Sequence, residues 1–241
     1  SEVPGYLLTN YSFIIGRVGV WITVRLIHRK SLTQVITGRI TFDYNRVIYA
    51  IWIGMLVNAV GLVLNILVFH QDMAFRAPDI WEYTTFFLFA IVLTSYQAGF
   101  EEVFFRGYLL QGFSLITKNR IFLVAVTTLL FTVVHLGNPE ARDVGYPVFV
   151  SSIAIVGIFL AVVSLLDGGI ELAIGYHAIH NLWIILIANP DVTSIPSPSL
   201  FELPTEQVGL FPDVLVQLFI FVVLLAIFNR KYNWFSWKRN N

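Results

Sequence analysis

The sequence predicts an all-α, polytopic membrane protein of about seven transmembrane helices, organised as a single transmembrane domain over residues 1–241. Three observations carry this. Hydrophobic residues make up 57% of the 241 positions and charged residues only 12%, where a soluble domain carries about a quarter charged. Mean hydropathy is +0.75. Uncharged runs long enough to cross a bilayer recur along the chain. A soluble globule of this size could not bury so much apolar surface, which includes 21 Phe and six Trp, and still present a polar exterior. The composition excludes an ordinary soluble enzyme and a disordered chain. The zero net charge provides no field for polyanions, and no nucleic-acid partner is expected. With no cysteine, disulfides, thiolate metal sites and cysteine catalysis are excluded. No signal peptide is read ahead of the first span.

The spans follow in order. Tyr6 to Leu26 is the weakest candidate, because Arg17 lies inside it. Val47 to Phe69 and Tyr83 to Phe100 carry no charge. Ile121 to Leu136 is shorter, with His135 near its end, and Tyr146 to Leu166 is again uncharged. Ile170 to Ala188 contains Glu171, His177, His180 and Asn181. Leu210 to Phe228 follows a loop with Pro190, Pro196, Pro198 and Pro204.

Charge tests this order. With Ser1 outside, the segments falling inside hold Arg25, Arg29, Lys30, Arg39, Arg46, Lys118, Arg120, Arg230, Lys231, Lys238 and Arg239. Those outside hold Arg76 and Arg142 alone, together with most of the acidic residues, from Glu2 to Asp213. This bias is that of the positive-inside rule and puts the C-terminus inside, with Tyr232 to Trp237 as an interfacial belt. The basic tail reads as topology and lipid headgroup contact. The expected location is a prokaryotic plasma membrane.

Ionisable groups within a bilayer are costly and therefore mark function. Here they concentrate in three spans: Glu101, Glu102 and Arg106 in the third, His135 in the fourth, and His177, His180 and Asn181 in the sixth. Glu102 and Arg106 are i,i+4 neighbours able to pair, while Glu101 is turned by about 100° and faces something else. His177 and Asn181 share a face. With the third helix continuing to about Phe113 and a short turn before Arg120, Glu101 and His135 both lie roughly 18–22 Å from that membrane face, and His177 and Asn181 roughly 12–18 Å. The groups can meet in a polar cavity between the third, fourth and sixth helices. Carboxylates, imidazoles and an amide, with no serine or cysteine nucleophile, point to an activated water: a carboxylate with a histidine as base, a second histidine and an amide as oxyanion donors.

Glu101-Glu102-x-x-x-Arg106, Phe131-x-x-x-His135 and His177-x-x-x-Asn181 resemble, in order and spacing, the three motifs of the CPBP family. These are the CAAX proteases and bacteriocin-processing enzymes, also called ABI intramembrane glutamic peptidases. Phe105-Arg106-Gly107-Tyr108-Leu109 and Gly175-Tyr176 are similar flanks, and the resemblance covers a core of about residues 83–188. It implies an endopeptidase without a required metal. Glu101 would be the base, working with His135 on the water, His177 and Asn181 the oxyanion site, and Glu102 with Arg106 a structural pair. The implied substrate is a hydrophobic peptide or lipidated protein, such as a prenylated CAAX protein, met among membrane lipids.

Bland readings stand beside these. Intramembrane His and Asn routinely make interhelical hydrogen bonds, and His180, extra to the pattern, is assigned to that role. Phe100, Phe104, Phe105 and Phe131 read as packing, Gly99 and Gly107 as points of close helix approach, and Arg17 as snorkelling or facing a neighbouring helix. The rival functions are a zinc peptidase using His135, His177 or His180 with Glu101, a proton-coupled transporter, and a non-catalytic scaffold or bacteriocin-immunity protein.

Overall fold

The computed structural model describes residues 3–68, 70, 72–205, 209 and 214–235. The sequence-predicted ends of two spans, Phe69 and Leu210, lie outside the described residues, as do Glu2, Asp213, Trp237, Lys238 and Arg239.

The chain is helical almost throughout. Helix α1 (Val3–Ile22) runs on through a π-helical turn, Thr23–Ile27. A short α2 (Leu32–Ile36) begins with a capping box between Ser31 and Gln34. Helix α3 (Tyr44–Leu67) leads to the two-residue strand β1 (Ala74–Phe75). Asp79 accepts from the backbone N–H of Trp81 and Glu82 and so starts α4 (Ile80–Glu102). A π-helical stretch, Val103–Leu109, carries α4 into α5 (Leu110–Ser114). Asn119 caps α6 (Arg120–His135) in the same way, and a single turn, α7 (Glu140–Asp143), follows. Helix α8 (Tyr146–Asp167) stops at Gly168 in the left-handed region (φ +67°), and α9 (Glu171–Leu186) turns straight back. Strands β2 (Ala188–Pro190) and β3 (Phe201–Leu203) precede α10 (Leu215–Tyr232).

Among the described residues five helical stretches are long and apolar enough to cross a membrane: Gly5–Ile27, Tyr44–Leu67, Ile80–Ser114, Tyr146–Asp167 and Leu215–Tyr232. The protein is thus an all-α, multi-pass membrane protein. The other two expected spans are α6 and α9, of 16 residues each. The third span is longer than its uncharged run suggested, because Glu101, Glu102 and Arg106 remain inside the helix. The sixth is shorter, because Ala188 leaves the helix to pair in a sheet.

That sheet was not anticipated. Its order is β1-β3-β2, with β3 antiparallel to β1 and parallel to β2. It gathers the connections after α3 and α9 at one end of the bundle.

Apolar side chains such as Trp52, Leu88, Val92, Leu129, Phe219 and Val222 are exposed on the helix exteriors, as lipid-facing surfaces require. The interior is a core of Phe159, Leu160, Tyr176, Phe221, Leu224 and Phe228. Helix α9 lies deepest. It approaches α3 closely because a Cβ on Gly54 would fall 2.6 Å from Ile179. Gly107 backs onto α2, where a Cβ would meet the Val35 carbonyl at 3.0 Å. Gly99 behaves otherwise than expected: a Cβ there would meet nothing within 4 Å among the described residues, so none of their helices approaches it closely. Arg17 faces a neighbouring helix, its guanidinium 4.5 Å from the centre of the Tyr96 ring.

A charge cluster closes the end of the bundle opposite the sheet. Arg39 donates to Asp167 (2.8 Å) and Glu171 (3.1 Å), and Arg46 to Asp167 and Asp43. Trp234 Nε1 donates to Asp167 at 3.0 Å, and the Asp43 backbone N–H to Glu171 at 3.4 Å. The turn between α8 and α9 is thereby tied to the segment between α2 and α3, which also shares a backbone bridge, Thr37 with Gly169.

Candidate active site

The three charged or polar segments converge. Glu101, His135, His177, His180 and Asn181 all line one cavity of about 450 Å³. It is wider than the expected crevice, taking in residues of α3, α8 and α10 besides α4, α6 and α9.

Glu101 and Glu102 end the regular part of α4, directly before the π-helical stretch. Such insertions recur at functional sites. Glu102 is fully buried, and its Oε1 accepts from Arg106 Nη1 at 2.8 Å and from His177 Nδ1 at 2.7 Å. Arg106 also donates to the Gly157 carbonyl at 3.2 Å and lies 4.4 Å over the Phe131 ring. Phe131 meets Phe105 edge-on at 5.3 Å and flanks His177. Thus Phe105 and Phe131 pack the floor of the site.

Glu101 is also buried, at 5% exposure, but differently held. Its Oε1 accepts from Gln97 Nε2 at 3.2 Å. Its Oε2 is buried with no hydrogen-bond partner among the described residues, 3.9 Å from His177 Nε2. That separation is too long for a direct hydrogen bond. It suits an oxygen atom seated about 2.8 Å from each.

The histidine tautomers follow from their partners. His135 Nδ1 lies 2.7 Å from the Phe131 carbonyl, an acceptor, so Nδ1–H donates. In the neutral ring Nε2 is left as an acceptor on the cavity wall. His177 donates Nδ1–H to Glu102, which leaves its Nε2 beside Glu101. Asn181 is half-buried on the same wall, one helical turn beyond His177.

His180 makes the interhelical contact expected of it. Its Nδ1 lies 3.4 Å from Asn58 Oδ1 on α3, and its ring stacks on Tyr176. The polar cavity residues that escaped sequence reasoning include Gln97 and Asn58. Each is an amide inside an uncharged span, and Gln97 precedes Glu101 by one turn. The direct tie from His177 to Glu102 was also missed. Among the described residues, no group of three or more His, Asp or Glu side chains is placed to hold a metal ion.

All seven motif residues fall within residues 81–183, which match the family of type II CAAX prenyl endopeptidases described as Rce1-like. That segment, under half of the chain, is similar to the Rce1-like proteins. Rce1-like proteins form a protease family. The chain is also 29% identical over 200 residues to the uncharacterized protein YyaK of Bacillus subtilis (strain 168). That similarity takes in 80% of this chain and 65% of YyaK, so the chain spans just under two thirds of its relative. No solved structure matches the chain.

Proposed function

We propose that this protein is an integral membrane endopeptidase that hydrolyses a peptide bond in a membrane-associated or hydrophobic substrate, using a water activated by Glu101 and His135. The observation that carries the reading is Glu101 Oε2, buried, unpartnered among the described residues and facing the cavity beside His177. An isolated intramembrane carboxylate is costly, so its retention argues for use.

In this mechanism the water gives a proton to Glu101 as its oxygen attacks the scissile carbonyl carbon. His135, oriented through Phe131, accepts a hydrogen bond from the same water at Nε2. The oxyanion is met by the Asn181 amide and by the His177 imidazole, which Glu102 orients through Nδ1. When the carbon–nitrogen bond breaks, the proton on Glu101 passes to the leaving amine. Glu102 and Arg106 touch no reacting atom. They fix His177 and the motif helix. No metal takes part, so chelators are expected to leave the rate unchanged. A zinc-dependent loss of activity would favour the rival metallopeptidase.

The test compares wild type with Glu101→Gln in the native host, by mass spectrometry of new protein termini. Gln keeps the shape and removes the base. Termini present only with wild type are the expected result, and they would also reveal the substrates, prenylated or not. Identical termini with the phenotype intact in both strains would support the scaffold or immunity reading instead.

A further inference from the structure

We infer that the cavity opens only to the outer side of the membrane, so that the bonds cut lie in peptide segments presented at the outer face and not in lipidated tails on the inner surface. This rests on the peptidase reading above and adds the side from which substrate arrives.

The first ground is helix length. Helices α6 and α9 both start at the basic end, at Arg120 and at Glu171 beside Arg39. Sixteen residues span about 24 Å, short of a hydrocarbon core of about 30 Å. Both therefore stop inside the opposite leaflet, and His135 is the last residue of α6. Past their ends the chain is irregular or forms the small sheet. Non-helical backbone at membrane depth is tolerated only where it is buried in protein or lines a wet cavity.

The second ground is the cavity wall. From Glu101 and His177 it continues to Asn138 and Glu140 after α6, and to Pro190, Thr193 and Ser194 after α9. Glu140 joins these two loops, accepting from the Ser194 backbone N–H and hydroxyl. None of the described residues of the basic connections 28–43 and 115–119 lines it. The basic end is shut beneath the site by the Glu102–Arg106 pair and the cluster of Arg39, Asp167 and Glu171.

The third ground is charge. The loops at the cavity mouth hold Asp72, Asp79, Glu140, Asp143, Asp191 and Glu202 against Arg76 and Arg142. The other end gathers most of the Lys and Arg residues, which places it inside.

The absence of cysteine makes a direct test available. Thr193→Cys at the mouth, Ser152→Cys within the cavity and Lys118→Cys at the basic end would be treated in whole cells with a membrane-impermeant maleimide. Labelling of Thr193→Cys and Ser152→Cys in intact cells, and of Lys118→Cys only after permeabilisation, is the expected result. Should Ser152→Cys not accumulate, Val144→Cys on the same wall replaces it. Labelling of the cavity positions from the inner side only, or of all positions from both sides, overturns the inference. The termini that depend on Glu101 form a separate readout. They should fall in outer-side segments. Inner-side labelling with Glu101-dependent cleavage retained overturns the side of access alone. Outer-side labelling with no Glu101-dependent cleavage upholds the opening and overturns the peptidase reading.

Discussion

Two clusters of buried acids and arginines sit at different depths in this bundle, and they are finished differently. At the basic end, all four carboxylate oxygens of Asp167 and Glu171 accept hydrogen bonds, from Arg39, Arg46, Trp234 and the Asp43 backbone. In the cavity, Arg106 and His177 crowd onto one oxygen of Glu102 and leave the other unpartnered, while Glu101 has only a neutral amide and also keeps one oxygen without a hydrogen-bond partner among the described residues. A fully paired cluster fixes geometry and has nothing left to offer a substrate. A half-paired one holds a reactive group ready. The same residue types thus form a clamp in one place and a candidate site in the other, and satisfaction of hydrogen bonds distinguishes them.

The comparison is most sharply broken at Glu101. Glu101→Gln is expected to slow cleavage by about 10²–10⁴-fold, the usual range for removing a general base. A rate assay in proteoliposomes checks it. Next come the arginines. Arg106→Ala leaves Glu102 buried without its cation and is expected to destabilise by about 3–5 kcal/mol, read from thermal unfolding in detergent. Replacing both partners, Glu102→Leu with Arg106→Met, should restore most of that stability but not activity, because His177 loses the acceptor that orients it. Arg39→Ala should destabilise by less than Arg106→Ala, since its side chain is 26% exposed, and should leave the rate per folded molecule unchanged. The smallest effects are at glycines. Gly107→Ala, against the Val35 carbonyl, should cost about 1–3 kcal/mol. Gly99→Ala, with open space around it, should be neutral or stabilising by up to about 1 kcal/mol.

Much of the site was legible because a bilayer penalises charge. Glu101, Glu102, Arg106, His135, His177 and Asn181 stand out in runs of apolar residues, and helical rise alone brought them to a common depth. The i,i+4 rule anticipated the Glu102–Arg106 pair and the divergence of Glu101. What escaped depends on tertiary detail. The link from His177 to Glu102 joins residues 75 positions apart and requires the side-chain geometry of both helices. Gln97 carries no charge and looks like any tolerated amide. The π-helical stretch has no composition of its own. Strands of two or three residues in a proline-rich connection lack a measurable period, so the sheet was invisible. Gly99 shares the small size of Gly107 but not its neighbour, and size alone does not say which glycine another helix touches. The inference about the side on which the cavity opens rests on α6 and α9 being only 16 residues long, which the sequence did not announce.

The most direct test of the contrast between the clusters measures Glu101→Gln and Glu171→Gln side by side, for thermal stability and for cleavage of a substrate identified from its new termini. The expected result is a crossed pattern. Glu101→Gln keeps its melting temperature and loses cleavage, while Glu171→Gln melts lower and cleaves normally per folded molecule. Cleavage retained in Glu101→Gln, or lost in Glu171→Gln at temperatures where it remains folded, would contradict it.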